Sequence, residues 1–373
     1  MKVKRKIGLA MVTLALVFGS VISLADTEPT LLPFAAGEVG TVVGTGFRGF
    51  DDGTYASFNL PAGLVAGGDG YLYVADTFNN KIRRISPNSY AETIAGAVME
   101  YDGFGQPAGL HLDGYLDDAL FNRPGAIVVD ARGRMFIADS YNHVIRMVDN
   151  GTVYTFSGSG EAGHRNGIPS RAMFYYPSGL ALDARGNLYV ADTGNHSVRR
   201  ICGHSGRVTT VAGWGHRPGA NDGRVTQASF DSPMGIAVCR DSGTIYVSDT
   251  GNHLIRSIYG RYVKTLAGEI LYFDYYGYAL GGLTDGYNAQ FNMPMGLDLY
   301  NGILFVADSA NHSIRGVEID SGQVFTVAGS GIPGFLNGSA LESRFHFPME
   351  VTFYQGILYV VDSGNNLIRR VFG

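Results

Sequence analysis

One short phrase occurs six times along this 373-residue chain, and it restricts the possible folds more than any other feature. Each copy is an aromatic residue and two small or branched residues before an aspartate, with an asparagine three residues later and an arginine seven residues later. The six aspartates are Asp76, Asp139, Asp192, Asp249, Asp308 and Asp362. A proline opens each unit, at Pro61, Pro124, Pro177, Pro233, Pro294 and Pro348. The chain is therefore an array of similar units.

Each unit has the pattern of four short strands. In the third unit we predict strands over residues 179–183, 188–191, 197–201 and 208–212, separated by turns rich in Gly and Asn. No segment shows a sustained helical period with capping residues. The 53 glycines and the 16% of charged residues are typical of many strands joined by tight turns. Six such units predict an all-β fold, a six-bladed β-propeller of four-stranded blades.

The two ends of the array predict how the ring closes. The sixth unit stops after its third strand, whereas the other units are followed by a Thr-x-x-Gly phrase. A spare copy of that phrase, Thr41 to Gly44, precedes the first unit. We therefore predict that residues 37–46 supply the outer strand of blade six, which closes the ring and covers an exposed strand edge.

Three phrases of the third unit resemble a known repeat. Residues 177–180 (Pro-Ser-Gly-Leu), 188–192 (Leu-Tyr-Val-Ala-Asp) and 195–199 (Asn-His-Ser-Val-Arg) are similar to the NHL repeat. The resemblance covers nearly all of the mature chain and is loosest in the sixth unit, where Glu350 replaces the usual Gly and Asn366 replaces the His. It implies an NHL-repeat β-propeller protein of the secreted bacterial type.

The N-terminus has the pattern of a signal peptide. A basic stretch from Lys2 to Lys6 precedes an uncharged, mostly apolar run that ends in small residues at Ala25. We expect residues 1–25 to be removed, leaving a propeller over 26–373 that is secreted, extracellular or periplasmic, with no membrane span. Without the signal, four of the 28 basic residues are lost and the net charge becomes 24 − 33 = −9. This acidic balance disfavours nucleic acid as a partner.

The repeated polar residues are interpreted as structural. Six equivalent Asp, Asn and Arg residues spread around a ring cannot converge on one centre, and the same holds for the four repeated histidines. We expect each Asp to accept backbone N–H groups of the turn that follows it, and each Arg to pair with a carboxylate or carbonyls. We predict no catalytic residue, metal ligand or cofactor. Whether Cys202 and Cys239 form a disulfide stays open.

Residues that follow the opening prolines are expected at the mouth of the central channel. Met234, Met295 and Met349 lie there on consecutive blades. They are interpreted either as contacts to an apolar ligand or a soft cation such as Cu(I), or as packing. Asp298 and Glu350 are unique acids near the axis, which favours a polar ligand or Ca²⁺, although two carboxylates make an incomplete calcium site.

Two loops that enter the next blade are longer than the rest, over residues 97–120 and 269–290. The second contains Tyr272, Tyr275, Tyr276 and Tyr278, and another loop of the same face contains Trp214 and His216. These aromatic residues indicate either a recognition surface or mutual packing that holds the long loops down.

Taken together, the sequence favours an extracellular, non-catalytic binding module that recognises a protein or glycan through its loop face. The alternative is a metal-dependent lyase or lactonase-like enzyme with its site in the channel, because six-bladed propellers include both classes. NHL-type amidoglycolate lyases carry metal-binding histidines in Pro-His phrases near the channel mouth. This chain has none of those phrases, which argues against the lyase.

Overall fold

A computed structural model describes residues 37–213 and 217–373. The predicted signal peptide, and Trp214 and His216, lie outside the described residues. The described chain forms six antiparallel sheets arranged as the blades of an all-β propeller, which confirms the fold that the repeat predicts. No helix among these residues is long and apolar enough to cross a membrane.

Blades one to five each have four main strands in sequence order from the channel outwards, and in blade six the fourth strand is the N-terminal one. Before blade one comes β1 (Glu38–Val43). Blade one contains β2 (Gly63–Ala66), β3 (Leu72–Asp76), β4 (Lys81–Ile85) and β5 (Ala91–Ala95). Blade two contains β6 (Gly114–Tyr115), β7 (Pro124–Val129), β8 (Met135–Asp139), β9 (Val144–Asp149) and β10 (Thr152–Ser157). Blade three contains β11 (Pro177–Leu182), β12 (Leu188–Asp192), β13 (Ser197–Ile201) and β14 (Val208–Ala212).

The second half of the ring repeats this pattern. Blade four contains β15 (Gly223–Arg224), β16 (Ile236–Val238), β17 (Ile245–Asp249), β18 (Leu254–Tyr259) and β19 (Tyr262–Ala267). Blade five contains β20 (Pro294–Tyr300), β21 (Ile303–Asp308), β22 (Ser313–Glu318) and β23 (Val324–Ala328). Blade six contains β24 (Gly338–Ser339), β25 (Pro348–Tyr354), β26 (Ile357–Asp362) and β27 (Leu367–Phe372). The two-residue strands β6, β15 and β24 each add a short fifth strand to a blade.

Single turns of 3-10 helix follow the second main strand of every blade. They span Thr77–Asn79, Ser140–Asn142, Thr193–Asn195, Thr250–Asn252, Ser309–Asn311 and Ser363–Asn365, and a seventh, Pro169–Arg171, lies in the loop before blade three. We call the first six the b–c turns. They lie on the same face as the loops that enter each blade, because both kinds of segment lie next to the opening prolines.

The N-terminal strand closes the ring. β1 pairs antiparallel with β27, and Val39 lies opposite Val371. The Gly37 N–H also donates to the Phe372 carbonyl at 2.8 Å. Val39 and Val43 are buried in the two clusters that join blade six to blades five and one. The first described strand therefore completes the last blade, as the spare Thr-x-x-Gly phrase predicts.

The hydrophobic core consists of six clusters, one between each pair of neighbouring blades. Each contains a buried phenylalanine three residues before an opening proline, a repeated position that our sequence analysis missed. The six are Phe58, Phe121, Phe174, Phe230, Phe291 and Phe345. A repeated arginine lies over each ring, 5.0–5.3 Å from its centroid, so the ring packs against the polar network.

The polar network has the same geometry in every blade. In blade one, Arg83 donates to Asp76 and to Asp52, each at 2.8 Å, and Asn79 donates to Asp76 at 2.8 Å. The other oxygen of Asp76 accepts the Asn59 N–H at 2.9 Å. The expectation that Asp76 accepts N–H groups of the turn after it was therefore wrong. The turn is closed by the Asn80 N–H, which donates to the Thr77 carbonyl. The Asp76 carboxylate instead binds the segment that enters the blade.

Neighbouring blades are joined by the residue that ends each b–c turn. His253 has φ +58°, and its Nδ1 accepts the Met293 N–H of the next blade at 2.9 Å. Asn80 and Asn366 do the same with a side-chain oxygen, at 2.8 and 2.9 Å. We call these six contacts the inter-blade bonds. The acceptor–donor pairs are Asn80–Arg123, His143–Tyr176, His196–Ser232, His253–Met293, His312–Phe347 and Asn366–Leu60.

The two cysteines are free thiols in the structure. Cys202 follows β13 and Cys239 follows β16, each in a turn at the end of its strand. A hydrogen bond with the Ser205 side chain lowers the pKa of Cys202 to about 7. The disulfide that the sequence leaves open is not formed between these two residues.

Candidate functional site

Six inner strands surround a central channel that widens into a cavity at each end. The inner strands are β2, β7, β11, β16, β20 and β25. The upper cavity, on the side of the opening prolines, has a volume of about 340 Å³. The lower cavity, on the side of the turns between the first and second strands, has a volume of about 1050 Å³. A volume of 340 Å³ is in the range of small-ligand sites.

The upper cavity has two chemically different halves. Met234, Met295 and Met349 line it on blades four to six, which is where the sequence places them. Rings from the b–c turns and from the residue before a proline line the opposite side, at Phe78, Tyr141 and Tyr176. These rings were not predicted from the sequence. The available signal was the second residue after the repeated Asp, which is aromatic in blades one and two and Gly or Ala in the other four.

Aromatic contacts join the rings along the rim of this cavity. The Arg123 guanidinium stacks over Phe78, 3.5 Å from the ring centroid. Tyr141 and Tyr176 meet edge-to-face, with centroids 4.9 Å apart. One half of the rim is therefore a belt of stacked rings with a cation, and the other half is flexible thioether side chains.

Glu350 lies between the two cavities and lines both of them. Its Oε1 accepts the Val351 N–H at 3.1 Å, and its carboxylate accepts the Leu297 N–H of blade five. The carboxyl group fills the space beside Gly296, where a Cβ would lie 2.0 Å from Oε1. Burial within the channel raises the pKa of Glu350 well above its usual value, and nearby Asp298 raises that pKa further.

Asp298 lines only the lower cavity and so does not join the methionines at the mouth. It comes three residues after Met295 on the same strand, which places it about 10 Å further down the channel. Its carboxylate accepts the Phe353 N–H at 2.6 Å and the Leu299 N–H at 2.8 Å. Burial raises its pKa to about 6, although these donors oppose the shift.

The two unique acids therefore brace the inner strands of blades five and six against each other. Asp298 on β20 binds a backbone N–H of β25, and Glu350 on β25 binds a backbone N–H of β20. Among residues 37–213 and 217–373, no group of three or more His, Cys, Asp or Glu side chains has the arrangement of a metal site. The carboxylates of Asp298 and Glu350 instead accept hydrogen bonds from backbone N–H groups.

The predicted tyrosine loop is a hairpin with exposed rings at its tip. Tyr275 is 95% exposed and Tyr276 is 80% exposed, and they contact each other edge-to-face. Tyr272 and Tyr278 are also mostly exposed. Asp274 holds the turn, because its Oδ1 accepts the N–H groups of Tyr276 and Tyr278 at 2.9 Å. Because these four rings are mostly exposed, they do not hold the loop against the blades, and the interpretation as mutual packing is not supported for them.

The other long loop contains a hairpin with the same backbone design. Asp102 Oδ1 accepts the N–H groups of Phe104 and Gln106, both at 2.9 Å. Phe104 is equivalent to Tyr276 and is 91% exposed. We call residues 100–108 hairpin A and residues 272–280 hairpin B. Each is closed by one bridge at its base, Tyr101–Pro107 in hairpin A and Phe273–Ala279 in hairpin B.

Both hairpins are fixed to the inter-blade bonds. Asn80 donates to the Pro107 carbonyl at 2.8 Å, and His253 Nε2 lies 3.0 Å from the Ala279 carbonyl. His253 Nδ1 accepts the Met293 N–H, so Nε2 carries the proton and donates to Ala279. Hairpin A joins blades one and two, and hairpin B joins blades four and five. They are three blades apart in a ring of six and therefore lie on opposite sides of it.

Comparison with known proteins identifies NHL repeats in the sequence and related propellers among solved structures. The family model described as NHL repeat matches residues 174–201 and 230–256. The chain is 32% identical to Protein SUPPRESSOR OF QUENCHING 1, chloroplastic, of Arabidopsis thaliana, over 75% of this chain and 27% of that protein. It is 30% identical to NHL repeat-containing protein 2 of Bos taurus, over 80% of this chain and 45% of that protein. The chain thus spans less than half the length of these relatives.

Solved structures share the propeller at low sequence identity. An auxiliary nutrient binding protein from Bacteroides thetaiotaomicron has a TM-score of 0.64 at 16% identity, covering 90% of this chain and 76% of that one. A gluconolactonase from Xanthomonas campestris has a TM-score of 0.57 at 14% identity, covering 89% of this chain and 88% of that one. At these identities the likeness shows the fold alone, and proteins with both binding and lactonase names share it.

Proposed function

Because the chain carries NHL repeats on a six-bladed propeller, we propose that it is a secreted, bacterial-type binding module that recognises a protein or glycan through its loop face without catalysing a reaction. The single observation that supports this most is the exposure of the tyrosines at the tip of hairpin B. Clusters of exposed aromatic side chains on a rigid scaffold are typical of recognition surfaces.

The repeat accounts for the other prominent side chains. The repeated Asp, Asn and Arg residues are used within the blades, and the repeated histidines join the blades. Tyr275 and Tyr276 have no such structural task, because their rings contact each other and are otherwise mostly exposed to solvent. A hairpin of this length also has an entropic cost of ordering, which a bound partner would offset.

The direct test replaces Tyr275 and Tyr276 with serine. We expect an unchanged melting temperature and the loss of partners that the unaltered protein captures from extracellular fractions or on a glycan array. The matched control replaces Tyr259 and Tyr262, which are exposed and flank the turn at the opposite end of blade four. If both double variants capture the same partners, the loop face is not the binding surface.

The proposed location has its own test. Expression of the full chain with its natural N-terminus should yield an exported protein that begins at Asp26, as N-terminal sequencing would show. Retention of residues 1–25 on an intracellular product would contradict secretion and leave the loop-face proposal unaffected.

The enzymatic alternative predicts a different composition of the purified protein. A metal-dependent lyase or lactonase of this fold would hold about one metal ion per chain in its channel. Elemental analysis of the exported protein distinguishes the two: we expect no stoichiometric metal, and a stoichiometric ion that is lost in the Glu350→Gln variant would favour the enzyme.

A further inference from the structure

We propose that hairpins A and B act together and hold one extended, cationic segment of a partner protein across the mouth of the upper cavity. This inference rests on the proposed function, because it specifies the partner of the same loop face. It starts from the equivalence of the two hairpins, which lie outside the sixfold repeat and occur in two of the loops of residues 37–213 and 217–373.

The hairpins also share the hydrogen bond at the base and the exposure of the ring at the bridge. The Ala108 N–H donates to the Glu100 carbonyl at 2.9 Å, and the Leu280 N–H donates to the Tyr272 carbonyl at 2.9 Å. At the bridge, Tyr101 is 59% exposed and its counterpart Phe273 is 61% exposed. Each hairpin is therefore a rigid platform that presents an aromatic residue at the same place, on opposite sides of the ring.

The charge of the two loops determines which partner fits. Hairpin A contains Glu100 and Asp102, hairpin B contains Asp274, and neither hairpin contains a lysine or arginine. Asp113 and Asp285, further along the same loops, pair with Arg146 and Arg315. Glu100, which begins hairpin A, and Glu269, which precedes hairpin B, are both exposed. A partner with excess negative charge is repelled by this arrangement, whereas a cationic one is attracted.

Exposed rings reinforce this preference. An arginine guanidinium stacks favourably over a tyrosine or phenylalanine ring, and its charge can pair with the nearby carboxylates. Phe104 on hairpin A and Tyr275 and Tyr276 on hairpin B are the most exposed rings of the two hairpins. A folded partner needs one continuous patch, whereas two separate platforms on either side of a cavity suit an extended chain that contacts both.

The experiment measures binding of defined peptides to the full chain by isothermal titration calorimetry at low salt. The probes are a decapeptide of alternating Gly and Arg, a tetrapeptide of the same pattern, and a decapeptide of alternating Gly and Glu. A neutral β-1,4-glucan hexasaccharide is the fourth probe. Ten extended residues span up to about 35 Å, whereas four span about 14 Å.

If one segment bridges both hairpins, the arginine decapeptide binds with a stoichiometry of one per chain. Phe104→Ser alone and Tyr275→Ser with Tyr276→Ser should each weaken it at least tenfold. The tetrapeptide should bind at least tenfold more weakly than the decapeptide, because it reaches only one hairpin. The Tyr259→Ser, Tyr262→Ser control should bind like the unaltered protein.

Other outcomes overturn the inference. A stoichiometry of two, or a tetrapeptide as strong as the decapeptide, would show that the hairpins act independently. Equal binding of the glutamate decapeptide would exclude charge recognition, and binding of the glucan alone would identify a glycan surface. If no probe binds but the hairpin B variant still loses its captured partner, the loop-face function stands and the cationic bridging segment is wrong.

Discussion

Each repeated arginine is completely buried and connects several groups within its blade. Arg199 is completely buried and donates to Asp192, to the Met173 carbonyl at 3.1 Å and to Asn166 at 2.8 Å. Its guanidinium also lies over Phe174. A single side chain therefore joins the end of one strand to the incoming loop and to the core between two blades.

Arg199→Ala should destabilise the protein by about 3–5 kcal/mol, because it leaves the buried Asp192 carboxylate without its counter-charge. Chemical unfolding, followed by fluorescence, measures this loss. The control is Arg185→Ala in an exposed turn of the same blade, which should change stability by less than about 0.5 kcal/mol. A loss below about 1 kcal/mol for Arg199→Ala would show that the pair is not needed to stabilise the blade.

The histidines of the inter-blade bonds make stability depend on pH. A protonated imidazole cannot accept a hydrogen bond at Nδ1, and burial lowers the pKa of His143, His253 and His312 below the usual value. A lowered folded-state pKa means that these bonds stabilise the fold fully above the pKa of the unfolded chain, about 6.5, and that this stability is lost as pH falls through the folded-state pKa.

Asparagine already forms the same bond in blades one and six without titrating. We therefore expect His253→Asn to reduce the drop in melting temperature between pH 7.5 and pH 5, compared with the unaltered protein. Asn80 also shows that an asparagine here can hold the hairpin carbonyl. An identical drop in both proteins would mean that other groups, such as the carboxylates with raised pKa, control the acid response.

At the scale of elements, the outer strand of blade six, β1, is far in sequence from the three inner strands of that blade. β1 covers the edge of β27 and contributes Val39 and Val43 to two inter-blade clusters. The other inter-blade contacts do not depend on it directly, so its removal tests closure alone.

A chain that begins at Gly46 should lose most of its thermal stability or aggregate, because β27 becomes an exposed edge and two clusters lose a valine. Differential scanning calorimetry compares it with a chain that begins at Phe34 and keeps β1. A synthetic peptide of residues 37–45, added to the shortened chain, should restore part of the melting temperature. Equal melting temperatures of the two chains would contradict closure by this strand.

At the scale of the whole molecule, repetition explains why the fold was predictable. Any residue present in all six units serves the blade, so the number of blades, the strand order and the closing strand follow from the sequence pattern alone. The methionines at the upper cavity follow as well, because their distance from the opening proline fixes their height in the channel.

The rest of the site depends on features that a repeat does not encode. Asp298 is only three residues beyond Met295, yet extended geometry places it at the other cavity. The two hairpins share a local pattern of an aromatic residue, Asp, any residue, an aromatic residue and Gly, at 101–105 and 273–277, which the sixfold repeat does not contain. The aromatic half of the upper cavity comes from the b–c turns, whose side chains vary while their backbone does not.

The pairing of β1 with β27 also governs the time at which the fold is completed. A ribosome makes β1 before blade one and β27 at the end of blade six, so the two strands can pair only when blade six has been made. Until then β1 lacks its partner strand β27, whereas blades one to five can form from contacts that are closer in sequence. Contacts between such distant segments form slowly, because the entropy of closing a very long loop is lost before the contacts can stabilise the chain. Closure of the ring is thus a late event that joins the strand made before blade one to the last strand of blade six.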